Sequence, residues 1–585
     1  MKKNKIFIHT MNPQNTQNDP VNGVLQGTNP KLQTVKYTNH LPEGKLGNYK
    51  ENERVDFMPD PSTSPYFDGK QSYLHIKVTN TSKFTSNASA NVSPPLCFPA
   101  HIGANALINR CVVRAKDNSQ VIEDIESYNQ LTGIKNAYTH DSDIFKTLGR
   151  ISGVAGRTPH GMNQGVGDLS VNYFLPNGVT AARVFTGGNE GSAATFCVPI
   201  ESGLMSAFAD QHHVVPNLDV PLHLQFFLEK SNIALQTMYS QFIHTVDGGI
   251  GAGSTAVINR YAKSPFSDHA CTIATNVVTL DLSVCDTTLA FEGEAFNLSD
   301  CAFRVGYPLQ IGDTGGQVLE ITNIEVDTGT DNKLIKITLA DTVTDDTLTK
   351  VSLAPCVRSY NIDKIELKTL LTIPDQPTMR MIRAQVQKGI SFTSVQLYKA
   401  SSSGGLRNAV VEIPEALTRA QSILAVPCQQ DNLESLDIDN SYMYCRPDSA
   451  LSAANDNDVT YQWQVQNVLI PNLAVQTNLK TNNRNDNAIF FNQTVMALRH
   501  LIKVTALGDN PEVRKEEDVD IELPYFYPVS LTPSGQSFNI IDSAPQLRLN
   551  NSSQTADRIK AKLYHIHVVH TRILRSTDMG ASISF

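Results

Sequence analysis

Charge is scarce in this chain. Asp, Glu, Lys and Arg make up 18% of its 585 residues, against ~25% in an ordinary soluble protein. Asn, Thr, Ser and Gln fill the gap, giving a surface suited to contact more than to free diffusion. The charge that remains sums to −9, which argues against a general nucleic-acid-binding surface. Cysteine is neither abundant nor patterned. Nine residues, at 97, 111, 197, 271, 285, 301, 356, 428 and 445, form no C-x-x-C and leave an odd count, so free thiols in a reducing compartment are expected instead of a disulfide framework. No apolar run reaches 18 residues, so no membrane-spanning helix is expected. The basic start, with Lys2, Lys3 and Lys5, leads only into Ile6-Phe7-Ile8, too short for a signal peptide; N-x-S/T sites such as Asn80 and Asn297 then read as chance.

Catalytic signatures are missing as well. There is no G-x-x-x-x-G-K-[ST] and no G-x-S-x-G. Gly248–Gly253 is glycine-rich but lacks the G-x-G-x-x-G spacing and precedes no convincing helix. Metal-dependent oxygenases built on β-sandwiches use two His and a carboxylate, with H-x-D or H-x-E on a strand. None of the fifteen histidines is followed two residues later by Asp or Glu. His565 and His567 share one face of a strand, with His570 nearby, but no third or fourth ligand presents itself. They read as packed or hydrogen-bonded histidines. His212-His213 reads as loop or interface, since adjacent strand residues face opposite ways. Trp463, the single tryptophan, sits in an alternating Tyr-Gln-Trp-Gln-Val and reads as core. No catalytic, cofactor-binding or metal-binding residue is therefore assigned, and no cofactor is expected.

What the chain does contain is strand pattern. Residues 1–50, rich in Asn, Gln, Thr, Gly and Pro, read as a flexible N-terminal arm. Alternation begins in Tyr73–Val78 and continues through Gly103–Arg114, Val220–Leu228 and Tyr360–Leu367. Val121, Ile125 and Tyr128 fall at helical spacing and predict a short helix there. Residues 147–191 read as a long surface loop. Residues 246–356, with short β runs between Asp and Thr, look inserted into a first β domain spanning 51–375. A linker over 376–390 leads to a second β domain, 391–585. Within it the sequence predicts a short helix from Pro414 to Leu424 and another from Asn487 to Ile502. Near the end, Leu563, His565, His567 and Val569 alternate with Tyr564, Ile566, Val568 and His570. Apolar residues on both faces predict a strand in the middle of a sandwich.

The C-terminal stretch carries a resemblance. Pro533-Ser534-Gly535, then Ile541-Asp542, then Ile573-Leu574-Arg575 and Met579-Gly580 resemble the end of double jelly-roll major capsid proteins of virophages, polinton-like viruses and nucleocytoplasmic large DNA viruses. The middle segment is one residue shorter than in that family, Phe538-Asn539 stand in reversed order, and Ile540 replaces a Ser-Arg pair. The Ile122-Glu123-Asp124 and Glu126-Ser127-Tyr128-Asn129-Gln130-Leu131 run resembles the first jelly roll of the same group. The resemblance implies an all-β fold of two tandem jelly-roll β-sandwiches, with short helices and a β-rich insertion. It implies a non-enzymatic structural protein whose pseudo-hexameric homotrimers tile an icosahedral virion shell. Its partners would be itself, neighbouring trimers, and penton and minor capsid proteins, with no specific nucleic-acid site. Synthesis would be in the host cytoplasm or nucleus. The alternative is a tandem β-sandwich carbohydrate-binding or adhesin protein, which accounts for the Asn/Thr-rich composition equally well but predicts secretion.

Overall fold

The computed structural model describes residues 35–86, 94–139, 150–153, 193–244, 262–281, 303–428, 459–476, 492–502, 526–531, 540–551 and 563–584, apart from internal gaps of one to six residues. Among the described residues sixteen principal strands build two sandwiches, whose sheets are extended by the short strands Val214–Val215, Ser403–Gly404 and Gly580–Ser584. The first uses β1 (Val35–His40), β2 (Arg54–Phe57), β3 (Phe67–Asn80), β4 (Ile108–Ala115), β5 (Val121–Glu126), β6 (Ala193–Pro199), β7 (Leu222–Leu228) and β8 (Tyr360–Thr372). The second uses β9 (Ile390–Ser401), β10 (Asn408–Glu412), β11 (Ala420–Cys428), β12 (Val459–Val465), β13 (Val468–Gln476), β14 (Tyr527–Ser530), β15 (Gln546–Asn551) and β16 (Leu563–Thr577).

The two strand orders are the same. The first sandwich has sheets β1-β8-β3-β6 and β2-β7-β4-β5; the second has β9-β16-β11-β14 and β10-β15-β12-β13. Adding eight to every label of the first gives the second. All these pairings are antiparallel, and first-with-last, second-with-seventh, third-with-sixth and fourth-with-fifth neighbours occur in both. An antiparallel ribbon rolled in this way into two packed sheets is a jelly roll. A helix follows the fifth strand of each: α1 (Tyr128–Thr139) in the first and the helical segment 492–498 in the second.

Side-chain alternation fixes the cores. In β3, Leu74, Ile76 and Val78 are fully buried between the sheets, while Tyr73, His75 and Lys77 face out. Phe57 and Phe226 meet edge-on across the β2–β7 pair, ring centres 6.1 Å apart. In the second sandwich Trp463, Tyr461, Tyr527, Tyr564, Ile566 and Val568 are all buried, with Tyr461 and Tyr527 rings 5.3 Å apart. Between β7 and β8 lies a closed six-stranded barrel running from His269 to Leu353. It falls within the segment read as inserted and buries its own residues, among them Val278, Leu280, Ile335 and Ile337.

Several expectations need correction. Val121–Glu126 is strand β5, not helix; α1 starts only at Tyr128. Ala420–Leu424 belongs to strand β11, where a helix from Pro414 was expected. The arm does not reach residue 50: Val35–His40 is strand β1, paired along its whole length with β8, and Tyr49 is buried. Residues 376–388, read as linker, form helix α2 (Gln376–Lys388), capped by the Asp375 carboxylate, which accepts from the Thr378 N–H at 3.0 Å. The Pro-Ser-Gly turn, Ile541-Asp542, Met579, His212-His213, Gly248–Gly253, the N-terminal lysines and almost all of the 147–191 loop lie outside the described residues.

Candidate functional site: the joint between the sandwiches

Among the described residues the polar chemistry gathers at the seam between the sandwiches. β5 is the last strand of its sheet and lies against β9, the first strand of the second sandwich. Its Glu123 is fully buried. The carboxylate accepts from the Ser202 hydroxyl, from the Gly203 N–H at 3.0 Å and from the Leu204 N–H at 3.3 Å. Burial pushes this carboxyl above its ordinary range, while the hydrogen bonds from Ser202, Gly203 and Ser394 and the charge of Arg572 pull it back. The clasp holds residues 202–204 flat against β9. A Cβ built on Gly203 would lie 1.6 Å from the Thr393 carbonyl oxygen, so only glycine allows this approach.

Arg572 of β16 answers from the other side. It is buried, and its Nη1 donates to the Ile122 carbonyl at 2.8 Å. Burial lowers its pKa, against the pull of Glu123 and Asp124. The Asn118 side-chain amide donates to the Ala581 carbonyl at 2.7 Å, and the Ser576 hydroxyl donates to the Asp219 carbonyl at 3.2 Å. Tyr138 at the end of α1 meets Phe526 edge-on, 5.7 Å between rings.

The strand that the sequence singled out runs through this seam. Tyr564, Ile566 and Val568 of β16 fill the second core, while His565 and His567 point at the first sandwich. Both face the Gln130 side chain on the first turn of α1: His565 Nδ1 stands 3.2 Å, and His567 Nε2 2.8 Å, from its Oε1. With neutral rings, each N–H donates to that one oxygen, and the tautomers follow: Nδ1–H on His565 and Nε2–H on His567. Burial, then the Lys399 charge, pushes His565 down to about 4. Burial, then His565, pushes His567 down to about 3. His570 is buried in the ladder opposite Ser394 and also falls to about 3, through burial and then Arg572. Among the described residues no group of three His, Cys, Asp or Glu is placed to hold a metal ion. Leu424 and Val426 of β11 share the outward face with these histidines and are buried too.

The joint therefore uses residues from both chain halves. The histidine pair was visible in the sequence. Its partners were not assigned a role there, although Glu123 and Gln130 both stand in the two short runs quoted for their family resemblance. Gly203 and Arg572 carried no local signal; what they do depends on contacts with chain more than 180 residues away, such as Thr393 and Ile122.

No family model matches the sequence, and no curated protein matches it. Solved structures do. A quasi-atomic model of the PBCV-1 virus capsid is 10% identical, covers 94% of this chain and 96% of its own, and has a TM-score of 0.42. The Faustovirus major capsid protein is 9% identical over 93% of this chain and 90% of its own, TM-score 0.46. The Sputnik virophage structure is 9% identical over 95% and 89%, TM-score 0.45. At such scores the fold assignment rests on the strand order of the chain itself: the protein is a double jelly roll.

Proposed function

We propose that the protein is the major capsid protein of an icosahedral virus, a structural building block with no catalytic role. The observation that carries this is the tandem repetition of one strand order in one chain, with the two copies joined by buried polar contacts across the seam, such as Arg572 to the Ile122 carbonyl. Two similar wedges held at a constant angle are what a flat, near-hexagonal tile needs when three chains close into a ring. Closed rings are the common outcome of head-to-tail contacts between identical chains. The barrel of residues 269–353 enters from the connection between β7 and β8 and serves as a projecting domain at the loop-bearing end. The neighbours in the shell are further trimers together with penton and minor capsid proteins. The virion is the place of action.

The test is assembly. Purified protein should elute at three times 64.2 kDa by light scattering and appear in negative stain as blocks of six-lobed outline. A stable monomer at micromolar concentration, or a monomer retained on a glycan array, would reject the capsid reading in favour of a binding module.

A further inference from the structure

We infer that the joint is an acid latch: protonation of His565 and His567 parts the two sandwiches at the seam while each sandwich keeps its own fold. The inference goes beyond the capsid reading and concerns the single chain, whatever that chain assembles into.

The geometry of the pair admits one protonation state. Both rings face a single acceptor, Gln130 Oε1, 3.2 Å from His565 Nδ1 and 2.8 Å from His567 Nε2. A carbonyl oxygen has two lone pairs, so two N–H donors saturate it. His567 Nδ1 and Gln130 Nε2 are buried, and among the described residues neither has a hydrogen-bond partner. A proton added to His567 goes to that Nδ1, turning an unpaired acceptor into an unpaired, charged donor on a fully buried side chain. Leaving such a charge buried and unpaired is costly. A ring opened to water takes the same proton at its ordinary pKa.

The groups around the pair repel that charge. Lys399 on β9 is the register partner of His565, and its charge adds to burial in holding that ring neutral; His565 acts in the same way on His567. Further along β16, Arg572 acts so on His570. β11 places apolar residues alongside, Val426 opposite His565 and Leu424 opposite His567. The first turn of α1 carries no acid, and its Tyr128 hydroxyl already accepts from the Glu201 N–H. Two buried carboxylates belong to the first sandwich here, and both are engaged. Glu123 accepts from Ser202, Gly203 and Leu204. Glu229 accepts from the Asn109 and Asn129 amides and from the Lys230 N–H. Burial holds both carboxyls above their ordinary range, so the folded chain takes up their protons more readily than the unfolded one. These two groups therefore resist opening in acid, and the histidines drive it. The strain falls between the sandwiches because both rings point at the first sandwich, while Tyr564, Ile566 and Val568 on the other face of β16 fill the second core.

The full chain is titrated from pH 7 to about 3.5 with an anionic naphthalene dye that brightens on apolar surface. Trp463 emission, which reports the second core, and far-ultraviolet dichroism are read in the same samples. Dye emission should rise between pH 6.5 and about 4, with Trp463 emission and dichroism still native. The midpoint should not depend on protein concentration. Lys399→Gln changes an exposed side chain and relieves the charge on His565. It should raise the folded pKa of that ring, weaken the proton drive and move the dye midpoint down by roughly half a pH unit. His565→Gln combined with His567→Gln should abolish the step. A dye midpoint unchanged in Lys399→Gln overturns the inference even if the double variant fails to fold. So does the absence of any rise down to about pH 3.5, or a rise coincident with loss of native Trp463 emission, which would mean that acid unfolds a sandwich. A midpoint that moves with protein concentration also overturns it, by assigning the step to chains parting from one another.

Discussion

Gly203 shows how much of the joint depends on single atoms. Its backbone touches Thr393 where any side chain would overlap a carbonyl oxygen. Gly203→Ala is expected to push residues 202–204 off β9, break the Glu123 clasp and cost about 3 kcal/mol, read as a fall in the chemical-denaturation midpoint. A variant as stable as the wild type would mean that the segment has room to shift. The histidines make the same seam sensitive to acid. Their folded pKa values lie below the unfolded value of 6.5, so the unfolded chain binds more protons as pH falls. Their contribution to stability is fully present above pH 6.5. It declines below that and is lost by the time pH reaches the folded values of about 4 and about 3. At pH 5, His565 alone should have given up roughly 2 kcal/mol. His565→Gln should flatten the loss of melting temperature between pH 7 and 5, and an unchanged slope would place the acid sensitivity elsewhere.

Among the elements, strands with one wet face announced themselves and strands covered on both faces did not. Tyr73–Val78 alternates because β3 has a core side and an outer side. β11 has lost that alternation because Leu424 and Val426 are buried against the first sandwich as deeply as Ile423 and Ala425 are in their own core. Its apolar run, preceded by Pro414-Glu415-Ala416-Leu417, therefore looks helical. Val121, Ile125 and Tyr128 share a helical spacing by coincidence: the first two pair along β4, and the third opens α1. Helix α2 was legible and missed, since Asp375 before Gln376-Pro377 is a start signal and Thr378, Ile382 and Val386 recur at four-residue spacing on its buried side. The repeated strand order could not be read at all, because it resides in pairings between residues hundreds of positions apart. Two element-scale outcomes follow. Ile566→Ala removes a fully buried side chain from the middle of β16 and should cost ~2–5 kcal/mol in the second sandwich, detected as a lower midpoint in Trp463 emission. The barrel begins and ends on neighbouring strands, with His269 paired to Val351. Replacing residues 267–353 with a short Gly/Ser linker should therefore leave a folded trimer, and aggregation would show that the barrel props the first sandwich.

At the scale of the whole molecule, the joint inside the chain differs from the surface left for the proposed contacts between chains. The joint inside the chain is dry: His565, His567, Leu424, Val426, Glu123 and Arg572 are all buried. The outer face of β8 is wet. On β8, Glu366 is held between Lys364, 2.7 Å away, and Lys368, 3.3 Å away, both with side chains still in contact with solvent. Surface ion pairs of this kind add only ~0–1 kcal/mol each, and a contact between chains must also offset the freedom lost on association. The proposed trimer is therefore expected to come apart before either sandwich opens. Trp463 makes this measurable, because it is the only tryptophan and lies fully buried in the second core. With rising denaturant, sedimentation should show loss of the trimer at a concentration where Trp463 emission is still native. That first midpoint should move upward with protein concentration, while the emission midpoint stays fixed. A single transition in which size and emission change together at every protein concentration would mean that the sandwiches are stable only inside the ring, and would reverse the order of strength assigned to the two joints.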